Sequence, residues 1–132
     1  DERRADDLDA ELARVTSPAF DVVLKGVGEF GEGHMSDAVW AGVEANERLN
    51  VLAGRCEAAA RRAGLEPSTR AYRPHVTLAY LRGSPTDRVA GWIRTHNLKT
   101  LEPFRVSRFG LYSSRLGQGG STYALEREYL IG

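Results

Sequence analysis

Residues 71–81 read Ala71-Tyr72-Arg73-Pro74-His75-Val76-Thr77-Leu78-Ala79-Tyr80-Leu81. Proline suits the first residue or the edge of a strand. The alternation after Pro74 predicts a strand with His75, Thr77 and Ala79 on one face and Val76, Leu78 and Tyr80 on the other. The second set is apolar and predicts core, packed against helices. The first set places an imidazole and a hydroxyl side by side on a surface or in a cleft. Such a pair can donate to a phosphate oxygen through Thr77 and move a proton through His75. A His-x-Ser/Thr triplet also arises by chance in a chain of this length, so an ordinary structural histidine competes with the catalytic one.

Upstream of this strand, Leu8, Leu12 and Val15 recur at helical spacing, and Pro18 closes that segment. Phe20, Val22 and Leu24 alternate as a strand does. A glycine-rich loop is expected over Gly26 to Gly33, then a second strand over residues 38–45. Asn46 is a plausible N-cap for a helix carrying Leu49, Leu52, Cys56, Ala60 and Ala63. Gly64 sits where a C′ glycine belongs. Downstream, Ser84-Pro85-Thr86-Asp87 predicts a capping box with proline at the first helical position. That helix would carry Val89, Trp92, Ile93 and His96. Strands follow around Phe104 to Tyr112 and Ser121 to Ile131, joined across the glycine-containing loop Ser113–Gly120 as a hairpin. The mixture predicts one α+β domain over residues 1–132, with a mostly antiparallel sheet and flanking helices.

The chain has 132 residues and no net charge. No apolar run reaches the ~18 residues that suggest a membrane span, and no signal-peptide pattern opens it. The single cysteine, Cys56, rules out an internal disulfide framework and a multi-cysteine zinc site. A reduced, cytoplasmic setting is expected. Of 18 basic residues, 16 are arginine, whose planar fork suits phosphate. Residues 1–53 hold 12 acidic and 5 basic side chains, and residues 54–132 hold 6 and 13. The basic half would then face an anionic ligand.

His34 reads as a loop residue, and His96 as the end of a helix where an imidazolium favours the dipole. No two histidines have metal-ligand spacing, so no metal and no cofactor are expected. Gly26-Val27-Gly28-Glu29-Phe30-Gly31 matches the dinucleotide fingerprint GxGxxG, but no helix is expected after its last glycine, so the match reads as accidental.

Taken with its surroundings, Arg73-Pro74-His75-Val76-Thr77-Leu78-Ala79-Tyr80-Leu81 resembles the second His-x-Thr motif of the 2H phosphoesterase superfamily. The likeness is closest to the bacterial and archaeal RNA 2′,3′-cyclic phosphodiesterases, also called 2′-5′ RNA ligases. Phe20–Phe30 followed by Ala38–Val43 is similar to that family's middle strands, and Leu111–Ser114 through Gly120–Tyr123 to its closing hairpin. The resemblance implies a bilobed fold and metal-independent hydrolysis of RNA 2′,3′-cyclic phosphate ends to 2′-phosphate, with 2′-5′ ligation in some members. It implies His75 and Thr77 as catalytic residues, with His75 as the base, and RNA ends or cyclic nucleotides as substrate. No membrane and no obligate protein partner are implied. Many members carry an arginine where this chain has Tyr80, and Arg82 lies two residues further on; these two are the candidate substrate-binding residues. The family's first His-x-Thr motif is expected upstream of the opening helix, so the domain reads as N-terminally incomplete. The alternatives are a non-catalytic RNA- or nucleotide-binding domain of the same fold, and a 2H phosphoesterase acting on another cyclic phosphate or a 2′-5′ oligonucleotide.

Overall fold

The computed structural model describes residues 2–118 and 120–132. Its elements are α1 (Glu2–Leu12), β1 (Phe20–Val22), β2 (Leu24–Glu32), β3 (Met35–Val43), α2 (Glu47–Arg62), β4 (His75–Pro85), α3 (Thr86–His96), β5 (Phe104–Val106), β6 (Arg108–Gly117) and β7 (Gly120–Leu130). The mixed α+β class with antiparallel sheets is as expected. No described helix is long and apolar enough to cross a membrane.

The chain forms two compact units, each assembled from separated segments. The first holds residues 1–20, 47–71 and 105–132; the second holds 21–46 and 72–104. The short pair β1–β5 marks two of the places where the chain passes between them. Interleaving removes the expected contrast between a basic and an acidic half. The first unit carries 12 basic and 11 acidic residues, and the second 6 and 7, because each draws on both ends of the sequence.

In the first unit, β6 and β7 form a hairpin whose pairing runs from Arg108↔Leu130 to Gly117↔Gly120. The strands therefore extend into the expected loop; Gly119, part of that loop, lies outside the described residues. One face of the hairpin meets α1: Tyr129 is buried, stacks on Phe109 at 4.9 Å and donates from its hydroxyl to Asp9 Oδ1 at 2.6 Å. Helices α1 and α2 are tied by Arg62 Nε to Glu11 Oε2 at 2.7 Å. Helix α2 buries Leu52 and Ala59. It stops as the sequence predicts, at Gly64, whose φ of 92° admits the paired bonds Leu65 N–H to Ala60 O and Gly64 N–H to Arg61 O. The Asn46 side chain, expected to cap α2, donates to the Asp21 carbonyl at 2.8 Å.

The second unit is a three-stranded antiparallel sheet, β2-β3-β4, with α3 packed on it. The glycine-rich segment is here a correction to the sequence reading. Residues 24–32 are strand, and only Gly33 and His34 make the turn to β3. A Cβ on Gly28 would collide with the Trp40 ring, which lies across it from the neighbouring strand. The glycine is there for a close approach inside a sheet. Helix α3 begins at Thr86, with Pro85 at the N-cap and no side-chain cap bond. The expected capping box is therefore absent, because Ser84 is held in β4 opposite Ser36.

Candidate functional site

Residues directly opposite in an antiparallel pair project to the same face, so register fixes which side chains share a surface. On β3 and β4 the pairs are Gly42↔His75, Ala41↔Val76, Trp40↔Thr77, Val39↔Ala79 and Ala38↔Tyr80. Trp40 and Val39 are adjacent, yet their partners are two apart. Leu78 is the extra residue of a β-bulge. The bulge resets the alternation. His75 and Thr77 share their face with Trp40, as expected, but Tyr80 joins them, because its partner Ala38 lies on the Trp40 side. On β2, Gly28 and Phe30 oppose Trp40 and Ala38 and belong to the same face.

This corrects the expectation that Val76, Leu78 and Tyr80 are core. They are 45%, 53% and 72% exposed, so none of the three is core. The buried side chains of this sheet come from the middle strand instead: Val39 and Ala41 point away from His75, and Ala38, also buried, lies on the His75 face opposite Tyr80. Ser36 is also buried, and its hydroxyl donates to Glu29. That is the face α3 covers, since His75, Thr77, Tyr80 and Phe30 on the other are exposed.

His75 opens β4 directly after Pro74, and its Nδ1 lies 2.6 Å from the Arg73 carbonyl. A carbonyl only accepts, so Nδ1 carries the proton in this contact. The neutral ring then presents Nε2 as an unprotonated acceptor. The ring is further held by two aromatic neighbours. Phe30 meets it edge-on, with centroids 5.0 Å apart and planes at 81°, and Trp40 lies at 6.0 Å. Phe30 and Trp40 are themselves 5.4 Å apart. Edge-to-face and tilted contacts of this kind are each worth about 0.5–1.5 kcal/mol beyond the area they bury. The sequence reading missed this cluster. Its signal was the glycine opposite a tryptophan in a hairpin, hidden by taking residues 26–33 for a loop.

Thr77, beside His75 on this face, is exposed, and so is Arg82, which lies past Tyr80 where the β3–β4 register shifts again. The structure thus brings together His75, Thr77 and Tyr80 on one open face, and leaves Arg82 outside the regular ladder. His34 sits in the β2–β3 turn, and His96 makes a tilted ring contact with Trp92 at 5.2 Å at the end of α3. Neither shares the His75 face. Among the described residues no group of three or more His, Cys, Asp or Glu side chains is placed to hold a metal ion. Two cavities lie in the first unit, one lined by Val15, Ser17, Leu130 and Ile131 and another by Pro18, Glu47, Val51 and Arg55.

Known proteins place this geometry in a family. Several solved structures share the fold, three of them as follows. E. coli LigT complexed with 3′-AMP matches with a TM-score of 0.73 at 21% identity, over 99% of this chain and 70% of that one. A phosphoesterase structure gives 0.70 at 22% identity, over 99% and 70%. TT0787 of Thermus thermophilus gives 0.71 at 18% identity, over 98% and 71%. LigT has also been solved with ATP, NADP+ and phosphate. No curated protein matches by sequence. The sequence model of the 2′-5′ RNA ligase superfamily matches residues 1–118. With that match over most of its length, the chain belongs to the 2′-5′ RNA ligase superfamily, the 2H phosphoesterases.

Proposed function

We propose that this chain carries one half of the apparatus for metal-independent hydrolysis of RNA 2′,3′-cyclic phosphate ends to 2′-phosphate, with 2′-5′ ligation as the related displacement in which a 5′-hydroxyl takes the place of water. The observation that carries the reading is the His75 ring, held by the Arg73 carbonyl with Nε2 free, next to Thr77 on an open sheet face. Nε2 takes a proton from water as the water oxygen bonds to phosphorus. The bond from phosphorus to the ribose 3′ oxygen breaks, and an acid protonates that oxygen as it leaves. Thr77 donates to a nonbridging oxygen as charge develops there. Tyr80 offers a second hydroxyl on the same face for a phosphate or ribose oxygen, and Arg82 a cation beyond it. His34 and His96 lie off this face, so in our reading the acid comes from a further His-x-Thr segment outside these 132 residues. The nucleotide ligands of LigT are of the class this face suits.

The test uses 2′,3′-cyclic AMP in EDTA, followed by phosphorus NMR, with the protein carrying its full reading frame. The product expected is 2′-AMP. His75→Ala should lower the rate by about 10²-fold or more, and Thr77→Val by about tenfold. Activity abolished by EDTA and restored by a divalent ion, or untouched by His75→Ala, overturns the reading. A single imidazole on this face also favours a second reading, a domain that binds the nucleotide without turning it over. Tight binding of 2′-AMP with no hydrolysis by the full protein would establish that one.

A further inference from the structure

The face that holds His75 carries no ionised side chain along its ladder. From Gly42↔His75 to Ala38↔Tyr80, with Gly28 and Phe30 opposite on β2, its described residues include no Asp, Glu, Lys or Arg. Its exposed hydrogen-bonding groups are neutral. They are the Thr77 and Tyr80 hydroxyls and, with Nδ1–H given to the Arg73 carbonyl, the bare Nε2 of His75. The arginines nearest along the chain, Arg73 and Arg82, stand before the first of these pairs and after the last. Tyr80 decides this character. It fills the last pair, and the bulge at Leu78 turns it to the His75 side, so a charge at position 80 would share the face with the phosphate. Charge is also what hydrolysis changes. A cyclic phosphate is a diester with one negative charge. Its product is a monoester that loses a second proton near pH 6 and carries about 1.5 to 2 negative charges at neutral pH. Neutral hydroxyls donate to either ion. The dianion gives up more hydration on binding, and a neutral face holds no cation to offset that loss.

We infer that Tyr80 is a specificity-determining residue: by filling this position without a cation, it makes the site hold the singly charged cyclic phosphate and let go of the doubly charged 2′-phosphate. This rests on the phosphate lying at His75 and Thr77, as in the proposed hydrolysis, and adds a physical reason for the product to leave. An arginine in the same place would grip the dianion through charge-assisted bonds and favour product over substrate.

Calorimetry on the protein with its full reading frame tests this with two ligands that lack the strained ring and do not turn over. Adenosine 2′-methylphosphate is a diester with one charge, and 2′-AMP is the monoester. The methyl diester should bind at least about threefold more tightly than 2′-AMP. Tyr80→Arg should tighten 2′-AMP about tenfold, the size of one charge-assisted hydrogen bond, and reverse the order. Added salt should weaken that gain. Tyr80→Phe, which removes the hydroxyl and keeps the position neutral, should retain the parent's order. Tyr80 is exposed on an edge strand, so neither replacement disturbs the core. Equal or tighter binding of 2′-AMP by the parent overturns the inference. The parent's order persisting in Tyr80→Arg, or reversed in Tyr80→Phe, does so too. The diester preference in a protein that leaves 2′,3′-cyclic AMP intact would instead sink the hydrolysis and keep the charge selection.

Discussion

Gly28 faces Trp40 across the β2–β3 ladder, and a methyl group there would occupy the space of the indole. Gly28→Ala therefore forces the ring off the sheet. Overpacking of this kind costs roughly 1–3 kcal/mol. It should show as a lower denaturant midpoint, together with weaker near-ultraviolet dichroism from the displaced indole. An unchanged midpoint and spectrum would mean that Trp40 has another resting place. The contrast with His75 shows what a single residue reveals. That His75 and Thr77 share an exposed face was legible because the pattern lies within three positions of sequence, proline included. Phe30 and Trp40 are ten residues apart, and only the register of a hairpin brings them to the same histidine. Arg73 was passed over for another reason: its contribution is a backbone carbonyl, which no side-chain pattern announces.

At the scale of the element, the bulge at Leu78 decides what β4 presents. Strict alternation put Tyr80 in the core; one extra residue turns it to the His75 side. Deleting Leu78 should return the strand to plain alternation. Tyr80 would then leave the face, or His75 and Thr77 would. Either way, an NMR contact between a nucleotide ligand and the Tyr80 ring, expected in the parent, should vanish in the deletion while the sheet still forms. Persistence of that contact would show that the bulge merely relocates. Helix α2 was readable to its last residue because Gly64 has a local cause, a positive φ that a Cβ resists. The start of α3 was not, because β4 claims Ser84 for its ladder before the helix can use it as a cap. The glycine-rich segment was misread for the same kind of reason. Its glycines answer a neighbouring strand, and a neighbour is invisible in a one-dimensional reading.

For the whole molecule, two ionisable groups set the expected pH range of stability. The hydrogen bond from Arg62 holds the Glu11 carboxyl below its ordinary value of 4.5. Its contribution is present above that value and fades as acid titrates the folded-state carboxyl. The pair is solvent-facing, so salt should weaken it. Burial first, and then the bond to Asp9, push the Tyr129 phenol up from 10 to about 12. The protonated phenol is the one the fold prefers, so this contribution is whole below pH 10 and is lost as pH climbs towards 12. Tyr129→Phe should flatten the alkaline limb of a melting-temperature profile and cost about 1–2 kcal/mol at neutral pH from the lost bond to a carboxylate. A variant with the same alkaline slope as the parent would assign that slope to other groups. The overall class was legible from alternating helix and strand patterns, and the resemblance implied two lobes, but the segments that make up each unit were not legible, since neither unit is contiguous. That connectivity has a genetic meaning. A gene divided in the loop after Arg70 would yield one piece with α1, β1, β2, β3 and α2, and another with β4, α3 and β5 to β7. Each piece would hold part of both units and the whole of neither, with the three-stranded sheet parted between β3 and β4. Phe30 and Trp40 would be encoded on one side of the divide and His75 on the other, so neither half could be passed on, duplicated or fused elsewhere with a working site of its own.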